Sequence, residues 1–136
     1  MIGSDLPTLT ARPLTEAFNR LQADSSRVVL GPTRDGGYYL IGLSAPASGM
    51  PVPDLFSAIR WSTEWTRVDT IAAAEGCGLE VERIESCSDV DDAADLARLR
   101  SELATVAGVG RAPRTTQVLR ELFPADTLPK ADAESL

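Results

Sequence analysis

An α/β layered sheet is the fold class this 136-residue sequence predicts. Three observations lead there. Stretches of helical period alternate with short apolar runs; "RVVLGP" and "YYLIGL" have the length and apolar content of buried strands; and "LEVERI" alternates apolar with charged side chains, the period of a half-exposed strand. Helices interleaved with strands favour layers of helix on sheet over an all-α or all-β arrangement.

Taken in order, "MIGSDLP" opens on the end of a strand, residues 1–3. Thr10 is the predicted N-cap of a helix ending near Ala23, with Pro13 tolerated in the first turn. Leu14, Ala17, Phe18 and Leu21 fall on one of its faces. Strands are predicted over 27–31 and 38–43, on either side of a glycine-containing stretch. "SAPASGMPVPD", residues 44–54, is a surface connection, followed by a short helical turn around Leu55–Ile59. Ser62 is the predicted N-cap of the next helix, in which Trp65, Val68, Ile71 and Ala72 share a face and which Gly76 and Gly78 end. A strand over 79–84 leads into "SCSDVDDAADLARLRSELATV", a helix with Leu96, Leu99, Leu103 and Val106 along one stripe. A short amphipathic helix over about 116–123 carries Val118, Leu119, Leu122 and Phe123, and residues 125–136 read as a loose tail.

Composition narrows the function classes. The chain is 43% hydrophobic, which suits one domain with a modest core. No apolar run reaches membrane-spanning length and no secretory signal opens the chain, so the expected compartment is the cytoplasm. Twenty acidic against 13 basic side chains give a formal net charge of −7, which argues against nucleic acid as a partner. The same balance suits a phosphate-bearing small molecule whose charge a divalent metal neutralises. Cys77 and Cys87 have neither metal-knuckle nor redox-pair spacing and read as reduced, partly buried thiols. There is no histidine, so chemistry within the chain must use carboxylates, backbone amides, hydroxyls, Lys/Arg or a metal.

In an open α/β sheet, ligands gather outside the carboxyl ends of the strands. Acidic residues fall at three such ends: Asp5, Asp35, and Asp89 with Asp91. Carboxylates converging at one edge stay ionised together only if a cation joins them, and Mg²⁺ or Mn²⁺ is the expected cofactor. Structural readings stand beside these. Asp5 before Leu6-Pro7 starts a turn equally well, and Asp35-Gly36-Gly37 is also a strong hairpin-turn signal. Asp91, Asp92 and Asp95 lie in the first turns of a helix, where negative charge suits the dipole; for Asp92 and Asp95 that reading is preferred. Trp61 and Trp65 suit core or rim packing better than ligand stacking, and Glu80, Glu82 and Arg83 read as a solvated face. Arg34 is placed to hold a phosphate beside the glycines.

"IGSDLPTLT", "VVLGPTRDGGYYLIGL", "LFSAIRWST" and "GLEVERIESCSDVDDAADL" occur in the order and approximate spacing of a bacterial family of glycosyltransferase-A-like proteins, DUF2064. The resemblance runs from about Met1 to Leu103 and is specific as a joint pattern. It implies a Rossmann-like α/β/α layered mixed sheet of the glycosyltransferase-A type, and similarity to nucleotide-diphospho-sugar transferases and phospholactate guanylyltransferases. It also implies a metal held by Asp5, Asp89 and Asp91, with Gly31, Pro32, Asp35, Gly36 and Gly37 lining the donor or acceptor pocket. Arg34 and Tyr38 join the substrate-binding set, and Asp35 is the expected catalytic residue. Small glycines let a phosphate or sugar approach backbone N–H groups.

The resemblance further implies a front section before the G-x-D-x-P segment, so the chain is expected to be a C-terminal portion lacking the N-terminal strands. The organisation expected is a partial glycosyltransferase-A-like domain over 1–106, a helical extension over 107–124 and a flexible tail over 125–136. The activity implied is metal-dependent glycosyl transfer from a nucleotide-diphospho-sugar. The alternatives are nucleotidyl transfer from a nucleoside triphosphate, or a non-catalytic module that pairs through an exposed sheet edge into a homodimer.

Overall fold

In the computed structural model, which describes residues 1–105 and 110–124, a three-stranded mixed sheet has the order β2-β1-β3. Strand β1 (Arg27–Pro32) lies in the middle. Strand β2 (Tyr38–Leu43) runs antiparallel to it and strand β3 (Glu80–Arg83) parallel. Burial follows from this placement. Val28, Val29 and Leu30 have no exposed surface, and each such side chain contributes about 1.5–3 kcal/mol of transfer free energy. Successive strand residues point to opposite faces. Val29 therefore packs with Leu6, Ala17 and Ile84 on one side, while Val28 and Leu30 pack with Ile41, Leu55 and Ala74 on the other.

Helix α1 (Ala11–Ala23) supplies Ala17 to the first face, with Thr10 as its N-cap residue and Pro13 buried in the first turn. Leu14 and Leu21 pack there too, but Phe18 is 63% exposed, so the predicted apolar face is narrower than its spacing suggested. Helix α2 (Thr66–Gly76) covers the second face. It starts four residues after the predicted cap Ser62, and Thr66, Thr70 and Ala74 are its buried stripe, not Trp65, Val68 and Ala72. The threonines bury because their hydroxyls find backbone acceptors: Thr70 Oγ1 donates to Thr66 O at 2.8 Å, and Thr66 Oγ1 to Arg60 O at 3.0 Å. No helix forms over Leu55–Ile59; Asp54 Oδ1 instead accepts the N–H groups of Phe56 and Ser57, each at 3.1 Å, in a capped turn.

The opening residues pair with β2, as the strand reading expected. Gly3 N donates to Tyr39 O at 2.7 Å and Ile41 N to Met1 O at 3.1 Å. At the other side, β3 has no further strand against it among the described residues. Glu82 is not simply solvated: it pairs with Arg20 of α1 and, at 2.8 Å, with Arg27 of β1, tying helix and both strands together. Cys77 is exposed and Cys87 half-buried, and neither forms a disulfide.

The chain separates into two compact units, Met1–Val90 and Asp91–Leu136. Within the second, helix α3 (Ala93–Leu103) begins in a reciprocal cap. Asp95 N donates to Asp92 Oδ1 at 2.8 Å, and Asp92 N donates to Asp95 Oδ2 at 3.2 Å. That accounts for both aspartates structurally. Helix α4 (Pro113–Leu122) starts on its proline and buries Leu119, with Val118 and Leu122 largely exposed. The predicted stripe residue Val106 and the tail from 125 lie outside the described residues.

Candidate functional site

The turn between β1 and β2 is a hairpin, one of the two readings its sequence allowed. Asp35 organises it: Thr33 Oγ1 and, at 3.0 Å, Gly37 N both donate to Asp35 Oδ1. Thr33 N donates to Gly37 O at 3.2 Å, closing the loop. From α2, Arg67 Nη1 donates to Thr33 O at 2.9 Å and to Gly37 O at 3.3 Å, while Arg67 N donates to Gly36 O at 3.0 Å. The Thr33 hydroxyl bond is the main reason the Asp35 carboxyl titrates below its usual range. The Gly37 N–H and the Arg67 charge push the same way, against the opposing effect of partial burial.

Each glycine here answers to the fold. A Cβ on Gly36, whose φ is +96°, would lie 2.3 Å from Glu64 O. Gly31 meets a different neighbour. The β1–β2 register shifts at Gly31/Pro32, so Tyr39 and Leu40 of β2 both stand against Gly31, and the Tyr39 ring lies where a Gly31 Cβ would be, 2.5 Å from Cζ. The Tyr39 hydroxyl donates to Glu85 O at 3.0 Å, and burial pushes its pKa up to about 12.

Three strand ends come together in the first unit. Cys87 N donates to Pro32 O at 3.1 Å, and Val90 N donates to Asp5 O at 3.2 Å. The result brings carboxylate oxygens of Asp35 and Asp89 within 4.8 Å of each other. Asp35 is exposed and Asp89 half-buried. Asp5 is exposed nearby through its backbone contact with Val90, but it joins no three-carboxylate group among the described residues. Asp91, also exposed, is the first residue of the second unit, two positions along the chain from Asp89; its N–H donates to Asp95 Oδ2 at 3.0 Å.

The remaining predicted residues fall around the turn. Arg34 is exposed and makes no hydrogen bond or ion pair with the described residues, so its guanidinium is available to an anion. Tyr38 is half-buried against the α2 face of the sheet, and its hydroxyl lies 3.4 Å from Thr70 Oγ1, whose own hydrogen goes to Thr66 O, so the Tyr38 hydroxyl donates. Sequence reasoning missed Arg67 and Thr33, which hold Asp35 in place. No motif marks them, because Arg67 sits at an ordinary helix position and acts through contacts made only after α2 docks.

Residues 1–63 match the model of the family described as "Uncharacterized protein conserved in bacteria (DUF2064)". The chain is also similar to a solved structure from Desulfovibrio desulfuricans G20 described as a "putative nucleotide-diphospho-sugar transferase", with 32% sequence identity and a TM-score of 0.73. That similarity covers 88% of this chain and 49% of the other, so the chain spans about half the length of the solved relative. No protein of curated function matches it. No helix among the described residues is long and apolar enough to cross a membrane. Residues 1–63 therefore resemble the DUF2064 family, on a mixed α/β fold shared with that solved relative.

Proposed function

We propose that the protein is a metal-dependent transferase that uses a nucleotide-diphospho-sugar, with Asp35 and Asp89 as ligands to Mg²⁺ or Mn²⁺. The observation that carries this reading is the approach of their carboxylates to within 4.8 Å. Two carboxylates this close disfavour each other's ionised form. Here the Thr33 and Gly37 donors hold Asp35 in its anionic form, which favours a cation as the neutralising partner. Both groups offer hard oxygens, the donor type these cations select. Asp5 and Asp91 are the further ligands that the family resemblance implies.

Bound there, a divalent cation would neutralise charge developing on the departing nucleoside diphosphate. The chain's own contribution is placement. Asp35 is fixed by its turn, and Arg34 offers a second positive group to the phosphates. We assign Asp35 to metal binding, in place of the catalytic role that the resemblance led us to expect.

The test is thermal unfolding with UDP-glucose, GDP-mannose or dTDP-glucose, with and without Mn²⁺. A ligand at 100 Kd that binds only the folded protein adds about 2.7 kcal/mol. Stabilisation that needs the metal and is lost in Asp89→Asn is the expected result; Asp89 is chosen because Asp35 also builds the turn. Indifference to every nucleotide would overturn the reading in favour of a non-catalytic module. With an acceptor present, free nucleoside diphosphate marks glycosyl transfer and pyrophosphate marks nucleotidyl transfer.

A further inference from the structure

Beyond β3 the chain runs from Ile84 to Asp91 without strand or helix, so individual bonds set its path. This stretch carries Asp89. Backbone bonds tie it down: Ile84 N donates to Leu30 O at 2.9 Å, Cys87 N to Pro32 O at 3.1 Å and Val90 N to Asp5 O at 3.2 Å. A further tie comes from a side chain. The Tyr39 hydroxyl donates to Glu85 O at 3.0 Å, between the first two backbone ties, where Glu85 and Ser86 are otherwise exposed.

Tyr39 reaches Glu85 because the hairpin is irregular. Along a regular strand, successive side chains point to opposite faces. Tyr38 and Ile41 accordingly pack on the α2 face, with Val28 and Leu30. Tyr39 and Leu40, although adjacent, both pack on the α1 face, with Ala17, Val29 and Ile84. The register shift at Gly31/Pro32 turns Tyr39 to that side. Its ring then crosses β1 at Gly31, where a Cβ would stand 2.5 Å from Cζ and 2.9 Å from the hydroxyl oxygen. The residue is 2% exposed, so close packing holds the ring in this orientation.

The same hairpin carries Asp35, whose carboxylate is fixed by Thr33 and Gly37. One element thus holds the first carboxylate in its turn and, through a hydroxyl, holds the stretch that delivers the second. The two carboxylates meet within 4.8 Å.

We propose that Tyr39 is a positioning residue for the carboxylate pair: by holding Glu85, its hydroxyl sets where Asp89 stands relative to Asp35. The proposal rests on the reading of that pair as a metal site, though the tether itself can be measured without metal.

Tyr39→Phe tests it, because the ring stays in the core and one hydrogen bond goes. Glu85 is exposed, so its carbonyl can turn to water and the stretch should slacken without unfolding the domain. Binding of Mn²⁺ alone, followed by the electron paramagnetic resonance of the free ion, should weaken about three- to tenfold. Amide hydrogen exchange at Cys87 and Val90 should quicken while exchange within α1 does not. Gly31→Ala, which pushes on the same ring from β1, should act in the same direction. Ile41→Val is the control: it loosens packing on the other face of the sheet and should leave both readouts unchanged. Circular dichroism of each variant confirms that the fold persists.

Unchanged exchange at Cys87 and Val90 would overturn the proposal, whatever happens to Mn²⁺. Equal losses in Ile41→Val would do the same, by making Tyr39 one more contributor to general stability. Faster exchange with undiminished Mn²⁺ binding removes the positioning role and leaves the metal site standing. If the wild type binds no Mn²⁺ while Tyr39→Phe still frees the stretch, the metal site falls and the hold of Tyr39 on the Asp89 segment stands.

Discussion

Gly36 and Gly49 both lie at positive φ, in segments that read alike as Gly-containing turns. Around Gly36 every direction is occupied. Glu64 backbone stands where a Cβ would go, Arg67 holds the flanking carbonyls, and Asp35 closes the loop from inside. Around Gly49 a Cβ would meet nothing within 4 Å, and the turn it lies in is closed by the bond from Met50 N to Ala47 O at 2.9 Å. The difference teaches that turn chemistry fixes only the local path of the chain. What distinguishes a turn that builds a site from one that merely connects is what packs on it.

The largest effect that sharpens this comparison comes from alanine at the two glycines. Gly36→Ala combines a left-handed backbone with collision against Glu64 and should cost about 3 kcal/mol. Gly49→Ala meets the backbone term alone, about 1 kcal/mol. Denaturant midpoints for the pair give the answer, and equal losses would break the contrast. Next in size is Arg67→Met, which leaves the Thr33 and Gly37 carbonyls without their guanidinium donor and should cost about 1–3 kcal/mol, read in the same way. It should also weaken any metal response, because the Asp35 turn loses its outer clamp.

The smallest expected effect is a pH dependence. Hydrogen bonds from Arg60 lower the Asp69 pKa from 3.8 to about 2. A carboxyl whose pKa falls on folding stabilises the native state above its ordinary value, and that contribution is lost as pH falls through the folded value. The stability difference between the wild type and Asp69→Asn should therefore be constant above about pH 4. It should close as the pH drops to about 2. A gap that persists in acid would mean that Asp69 acts through packing.

Much of the fold was legible in the sequence. The boundaries of β2, the body of α1, the pair of strands around the glycines and the Leu99/Leu103 stripe follow from apolar period and capping residues. The buried face of α2 was not, because Thr66 and Thr70 count as polar until the fold provides acceptors for their hydroxyls. Nor was the turn at 54–57, where a short apolar stretch resembles helix but the Asp54 carboxylate captures the amides first. At the candidate site, Asp35 and Asp89 stand out as acids after strands. Their approach depends on β3 pairing with β1 across a long separation, which no local pattern encodes. Gly31 stood out through its motif, but its physical reason, the Tyr39 ring laid across it by a bulge, belongs to the strand register.

The sheet order has a consequence for how the molecule assembles. Strands β1 and β2 are joined by a tight turn, so their pairing closes a short loop with little entropy to overcome. The β1–β3 pair brings Arg27 beside Glu80, and must wait for the intervening chain, α2 included, to find its place. On loop-closure entropy alone, the hairpin costs less to close than the parallel edge. The Asp35–Asp89 approach spans this long-range seam. Any weakening of the parallel β1–β3 pairing should therefore separate the two carboxylates while leaving the Asp35 turn intact.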